Sequence, residues 1–401
     1  MAMTHKNAKK HRRIRELYYI THIDNIPSIL KKGILSHERI EKEKVQYTPI
    51  YDKEIISRRQ NIVVPDGRRL WSFANLFFNA RNPMLYRVTR EKSVSEIAVL
   101  GIRIDVIDRG DVFLTTGNAA CEESEIMSSV NAKKIFKEII KEVSKDWWGI
   151  ADGSKRKIMA ECLVPDAVPS DKIASIYVPN HAALEKVYGL IAPTPHSFLS
   201  IIVEPFMFFE PNERVCLPKH LKIVEGDMFF SRLQTLTISV NTVGIMGKGV
   251  ASRAKYQFPD VYVRYQDLCR NRTLQMGKPY LYKRESSLGY ELADEPLTLS
   301  NTDSQTWFLL FPTKRDWRDQ ADINGIESGL QWLCDTYKKS GIESLAIPAL
   351  GCGLGRLDWR NVGPLLCKYL STLDIPVELY LPAERKISKE LLSRDFLLSK
   401  C

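Results

Sequence analysis

The chain has 401 residues, enough for two domains that each bury a core, with 44% hydrophobic and 26% charged residues as in ordinary globular proteins. The N-terminus is basic and polar without an apolar signal core, and the most apolar stretch, Phe198 to Phe209, is interrupted by Glu204 and Pro205, so neither a secreted nor a membrane-spanning protein is expected. Eight scattered cysteines without a CxxC suggest neither a zinc site nor a disulfide framework, and a net charge of +10 favours a polyanionic partner in a reducing, cytoplasmic setting.

Residues 1–11 read as a basic, solvated tail, continued by Arg12, Arg13 and Arg15. Leu17 to Ile34 then reads as a strand closed by His22, a turn, and a helix ended by Gly33. Asp24 or Asn25 is the expected cap and Pro27 sits in the first turn. Ile55 to Pro65 carries the paired Arg58 and Arg59. Asn82-Pro83-Met84-Leu85-Tyr86, just after Phe77 and Phe78, reads as a turn entering a buried strand. From Asp111 a strand leaves into a polar loop at Thr115 to Ala120, and a helix is predicted over roughly Ile126 to Val143. Trp147 and Trp148 precede a turn and the basic run Lys155, Arg156, Lys157. Glu161 follows where the chain enters an apolar strand, Cys162 to Val164, stopped by Pro165. By residue type Glu161 is either an outward-facing strand glutamate or part of a partly buried wall, since Met159, Ala160, Cys162 and Leu163 around it are apolar. A strand near Ile173 to Val178 and a closing segment, Pro193 to Phe209, complete a domain over 12–210. Residues 211–218, with two prolines and little apolar pattern, read as the linker to a second domain over 219–401.

In the second half, β-prone Thr237 to Val240 runs into Asn241 and a loop with Gly244, Gly247 and Gly249, and a helix begins near Val250. A strand that delivers a glycine-rich turn onto a helix N-terminus offers backbone N–H groups to an anion. A second such loop holds Gly351, Cys352, Gly353, Leu354 and Gly355, and two facing glycine loops suit a diphosphate. Lys314 follows a strand, Thr306 to Phe311, and a Pro-Thr turn, which aims it at the ligand crevice of an open sheet. All seven histidines lie at or before His220, so beyond that residue the second half has lysine or carboxylate chemistry but no imidazole.

Together with Gly226-Asp227-Met228-Phe229 and Phe311 to Trp317, these loops resemble the macrodomains that bind ADP-ribose, in particular the DarG-type DNA–ADP-ribose hydrolases. The resemblance implies an α/β/α three-layer sandwich in which Asp227 accepts from the adenine amino group and Asn241 faces the distal ribose. The two glycine loops would hold the diphosphate, and Lys314 is the residue required for hydrolysis. Where related terminal ADP-ribose glycohydrolases carry an Asp, this chain has Gly355, so a Lys–Asp pair is not implied. The first half is similar to the DarT-type DNA ADP-ribosyltransferases, which implies a mixed β core with helices. There His22 and Asn25 contact NAD, as does one of Arg58 and Arg59, with Phe77 or Phe78 (Phe78 in first place) against nicotinamide and Glu161 catalytic. Trp147, Trp148, Lys155 and Arg156 are the candidate DNA contacts.

The two domains, α+β and α/β, then form a fused toxin and antitoxin. The first would use NAD, without a metal, to ADP-ribosylate a base in single-stranded DNA, thymidine by the branch that Pro83 to Tyr86 resembles. The second would remove ADP-ribose from the modified DNA, with an intramolecular contact between domains. Two other readings compete: the same chemistry on RNA or protein, and a non-catalytic reader of ADP-ribose, which an intact Glu161 and Lys314 oppose.

Overall fold

The computed structural model describes residues 14–51, 57–149, 151–295 and 305–399. The basic tail before residue 14, and Ile55 and Ile56 of the arginine segment, lie outside the described residues. Among those described, 14–208 and 292–295 form one compact unit, and 209–291 with 305–399 form the other. No described helix is long and apolar enough to cross a membrane.

The first unit is built on an eight-stranded sheet with the order β10-β9-β4-β1-β3-β7-β5-β6. Its strands are β1 (Glu16–His22), β3 (Phe73–Phe77), β4 (Ile97–Arg103), β5 (Phe113–Thr115), β6 (Ile126–Ser128), β7 (Glu161–Pro165), β9 (Ile173–Val178) and β10 (Ser200–Val203). A small ribbon, β2 (Ile34–Leu35) with β8 (Ala167–Val168), stands apart. All pairs in the large sheet are antiparallel except β9 with β10. β7 lies inside the sheet, between β3 and β5, so all of Glu161–Pro165 is buried.

Three sequence expectations for this unit change. Asn82 does not lead into a strand: its side chain accepts from Leu85 N–H at 3.0 Å and Pro83 takes the first position of a helix, Pro83–Glu91. The helix expected from Ile126 begins only at Phe136, because Ile126–Ser128 pairs with β5 as an edge strand. Ile139 and Val143 of that helix are buried as its apolar spacing requires. The third change is in extent, since Leu292 to Glu295 also belong here. Leu292 and Ala293 are buried, and the Leu292 carbonyl accepts from the indole Nε1 of Trp148 at 3.0 Å. Asp294 meets Nε of Arg87, which is 1% exposed, at 2.7 Å, and Glu91 takes Nη1 of the same guanidinium at 2.9 Å.

The second unit carries a seven-stranded sheet, order β11-β12-β17-β16-β13-β15-β14. These are β11 (Asn212–Cys216), β12 (Leu221–Glu225), β13 (Thr235–Asn241), β14 (Tyr280–Tyr282), β15 (Trp307–Lys314), β16 (Leu345–Pro348) and β17 (Val377–Tyr380). The five central strands are parallel and the two outer ones antiparallel. Alternation along β15 sends Leu309 and Phe311 into a core with Ile326, Leu330 and Val362 of the helices Ile323–Ser340 and Trp359–Leu370. Phe308, on the opposite face, meets Phe258 at 5.2 Å between ring centres. Helical layers thus cover both faces.

The expected linker is a correction: 212–216 pair with β12 as the edge strand β11 of the second sheet. The Pro-Thr turn before Lys314 also disappears, because β15 continues through Pro312 and Thr313 to Lys314. Pro312 pairs with Val240, the register shift that follows leaves Thr313 as the extra residue, and Lys314 lies beside Asn241.

Candidate active sites

Glu161 is the first residue of β7 and is fully buried. A buried carboxylate is costly unless its oxygens are satisfied. Arg59 meets it with both terminal nitrogens, Nη2 to Oε2 at 2.6 Å and Nη1 to Oε1 at 3.3 Å, and the backbone N–H of Ala119 donates to Oε1 at 2.9 Å. The Glu161 N–H in turn donates to Thr115 Oγ1 at 2.8 Å. The polar loop after β5 is therefore the second wall of the site. Burial opposes the charge on Arg59, and Glu161 more than offsets it, holding the guanidinium above its ordinary range.

The two arginines separate. Arg59 enters the site, whereas Arg58 is 65% exposed and pairs with Glu295 at 2.9 Å. His22 ends β1 with Nδ1 accepting from Asp24 N–H at 3.2 Å. Asn25 stands at the helix start without capping it. Its Oδ1 accepts from Thr48 N–H at 2.7 Å and its Nδ2 donates to Thr48 O at 2.9 Å, which ties down the following loop.

Two expected contacts are core instead. Phe78 is 2% exposed and packs edge-on against Phe136, so it is not available to nicotinamide. Trp148 is fully buried, edge-on to Tyr86, and is not a DNA contact. Trp147, Lys155 and Arg156 remain half-buried, and Arg156 Nη1 donates to Ser124 Oγ at 3.0 Å across the polar loop. Sequence reasoning missed Thr115 and the Ala119 N–H. It also missed His37, stacked on Trp71 at 4.5 Å with Nε2 3.4 Å from Tyr51 Oη. Burial first, then the charge of Arg59, lower the His37 pKa to about 4, while burial pushes Tyr51 up to about 12.

In the second unit the two glycine loops meet. Leu354 Cδ1 stands 3.3 Å from where a Cβ on Gly249 would be. Gly351 has φ +77°, and a Cβ on Gly355 would lie 2.6 Å from Gly351 O, so this turn closes only with glycine at both places. Cys352 contributes backbone only: its side chain is 1% exposed, and burial pushes its thiol up to about 12.

Asn241 departs from expectation. Its Oδ1 accepts from Val243 N–H at 3.0 Å and Tyr265 Oη at 2.8 Å, and its Nδ2 donates to Ile245 O at 2.6 Å, so the side chain builds the first loop. Lys314 Nζ donates to Asp319 O at 2.8 Å. Burial first, and Arg356 second, draw its pKa below the ordinary lysine value. Asp358 caps the helix Trp359–Leu370, accepting from Arg360 N–H at 2.9 Å, and is not the partner of Lys314. Asp227 ends the turn after β12, with Phe229 N–H donating to its Oδ1 at 3.2 Å and Arg253 Nη1 at 2.5 Å from its Oδ2.

Comparison with known proteins identifies both halves of the chain. Residues 18–209 match the family model "ssDNA thymidine ADP-ribosyltransferase, DarT", and residues 298–366 match the macro domain. A DNA ADP-ribosyl transferase–DNA ADP-ribosyl glycohydrolase fusion protein of Thermosipho africanus is 53% identical over 96% of this chain and 99% of its own length. The solved structure of Thermosipho africanus DarTG in complex with ADP-ribose superposes with a TM-score of 0.90 at 52% identity, covering 96% of this chain and all of that one (100%). A DNA ADP-ribosyl glycohydrolase of Thermus aquaticus is 33% identical over 41% of this chain and 42% of its own. The chain belongs to the DarT–DarG fusion family: a toxin that ADP-ribosylates single-stranded DNA and the macrodomain antitoxin that removes the modification, in one polypeptide.

Proposed function

We propose that the first unit takes NAD as donor and that the bond from ribose to nicotinamide breaks beside Glu161. The observation that carries this is the buried Glu161 carboxylate, held by Arg59 and the Ala119 N–H at the start of β7. A fixed negative charge there stabilises the positive charge that develops at the ribose carbon as neutral nicotinamide leaves. The same carboxylate then takes the ring N–H proton of thymine as that nitrogen bonds to the ribose carbon. General-base help of this kind is worth about two to four powers of ten. Arg59 orients the carboxylate, and Trp147, Lys155 and Arg156 contact the DNA strand. An unstacked base in single-stranded DNA reaches such a pocket without the cost of opening a duplex.

In the second unit the ADP-ribose diphosphate lies between the two glycine loops, with adenine at Asp227 and the modified ribose toward Lys314. Neither reaction requires a metal. The test is the full chain carrying Lys314→Ala, incubated with labelled NAD and with single-stranded DNA, RNA or protein in excess chelator. Label is expected on thymidine of DNA, and Glu161→Ala in that background abolishes it. Label on RNA or protein alone, or loss of activity with chelator, overturns the reading.

A further inference from the structure

Asp227 and Arg253 form a shielded ion pair of the second unit that hydrolysis does not use. Arg253 sits on the helix Gly249–Gln257, the helix that opens at the first glycine loop. Its Nη1 lies 2.5 Å from Asp227 Oδ2, and its Nε donates to Gln257 Oε1 at 2.9 Å. Its guanidinium carbon stands 4.7 Å from the centre of the Phe229 ring and 5.3 Å from that of Phe230. The side chains of Arg253 and Asp227 are only 16% and 11% exposed. The rings fix the plane of the guanidinium and Gln257 fixes its rotation, so the fork is immobilised before it meets the carboxylate. A lysine could supply the charge but not the plane.

We infer that Arg253 is a positioning residue that makes the ADP-ribose site selective for a purine bearing an exocyclic amino group, by holding the Asp227 carboxylate that receives it. This rests on the reading of Asp227 as the adenine contact. An ionised carboxylate is an acceptor only, with about four lone-pair positions, enough to accept from Arg253, Phe229 N–H and a base amino group together. Adenine presents that amino group, whereas hypoxanthine presents a carbonyl oxygen at the same place and sets two acceptors face to face. Discrimination therefore requires a carboxylate that does not rotate away, and the brace supplies that condition. The same helix thus links the phosphate end of the site to its base end.

The experiment compares ADP-ribose with inosine diphosphate ribose by calorimetry on the full chain, counting only the binding that Gly353→Glu removes. The wild type should prefer ADP-ribose by about 10- to 100-fold, the range for a hydrogen bond to a charged group. Arg253→Met should lower that preference about ten-fold or more, with the loss falling on ADP-ribose while the inosine analogue binds as before. Arg253→Lys should lie between the two. Equal losses for both ligands, or an unchanged ratio with a lower melting temperature, would mean that Arg253 only covers the phenylalanine core and would overturn the inference. Asp227→Ala keeps the two failures apart: it should erase the preference, and if it does not, the assignment of adenine to Asp227 is wrong independently of Arg253.

Discussion

Arg59 and Glu161 face each other as a two-point pair, 2.6 Å and 3.3 Å, with the carboxylate fully buried and the guanidinium side chain 19% exposed. Removing one partner of a buried pair leaves the other uncompensated, at a cost of about 3–5 kcal/mol. Arg59→Met should therefore lower both stability and transfer, measured by urea unfolding and by labelled-NAD incorporation. Glu161→Ala should abolish transfer. Wild-type transfer by either variant would remove the pair from the mechanism.

Asp294 provides a second test, of structure rather than chemistry. Asp294→Ala leaves Arg87 with Glu91 alone and should destabilise the first unit by about 1–3 kcal/mol, the penalty for an unmade buried hydrogen bond. A fragment ending at residue 210 loses Asp294 and also the carbonyl that receives the Trp148 indole. It should unfold at lower urea than the same unit in the full chain, and an identical midpoint would contradict the discontinuous unit.

Much of this was legible in the sequence, and the failures have physical reasons. β1, β7, β13 and both glycine loops carry strong local signals, and Gly351 and Gly355 are required by backbone geometry alone. The strand β11 looks like a linker in sequence because an outer strand exposed on both faces shows no alternation of apolar and polar residues. Phe78 and Trp148 suit ligand contacts by residue type, which does not reveal which way a ring points, and both are core. The Ala119 N–H had no side-chain signal to find, and the place of Asp294 depends on a contact over more than 200 residues of sequence, namely 207. Asn82 was different: a capping Asn followed by Pro is a helix start, and the sequence did carry it.

Gly353→Glu should eliminate ADP-ribose binding to the second unit. A Cβ there would already stand 3.3 Å from Glu384 Oε2, so the substitution crowds the loop and adds a second carboxylate at the proposed diphosphate site. Calorimetry with unchanged affinity would place the diphosphate elsewhere.

Lys314 should give a diagnostic pH profile. Because burial and Arg356 favour its uncharged form, hydrolysis that uses the amine rises with pH and levels off below the ordinary lysine value of 10.5. Arg356→Ala should move that plateau to higher pH. A rate that falls as pH rises would instead assign Lys314 to charge stabilisation.

His37 links stability to pH through the neighbourhood of Arg59. Its folded pKa of about 4 lies below the ordinary 6.5, so between these values the unfolded chain binds a proton that the folded chain refuses. Stability should fall as pH drops from 6.5 toward 4, and above 6.5 this contribution is constant. His37→Phe should flatten that slope in urea midpoints taken across the window, and an unchanged slope would assign the effect to other groups.

The place of Leu292 to Glu295 in the first unit has a consequence for the timing of synthesis. The ribosome delivers these residues only after it has made 209–291, at about 5–20 residues per second, a wait on the order of seconds to tens of seconds. Through that interval Arg87 lacks Asp294 and Trp148 lacks its carbonyl. The toxin reaches the packing described here only once part of its antidote has left the ribosome, and a product cut short between the two sheets carries an unfinished toxin.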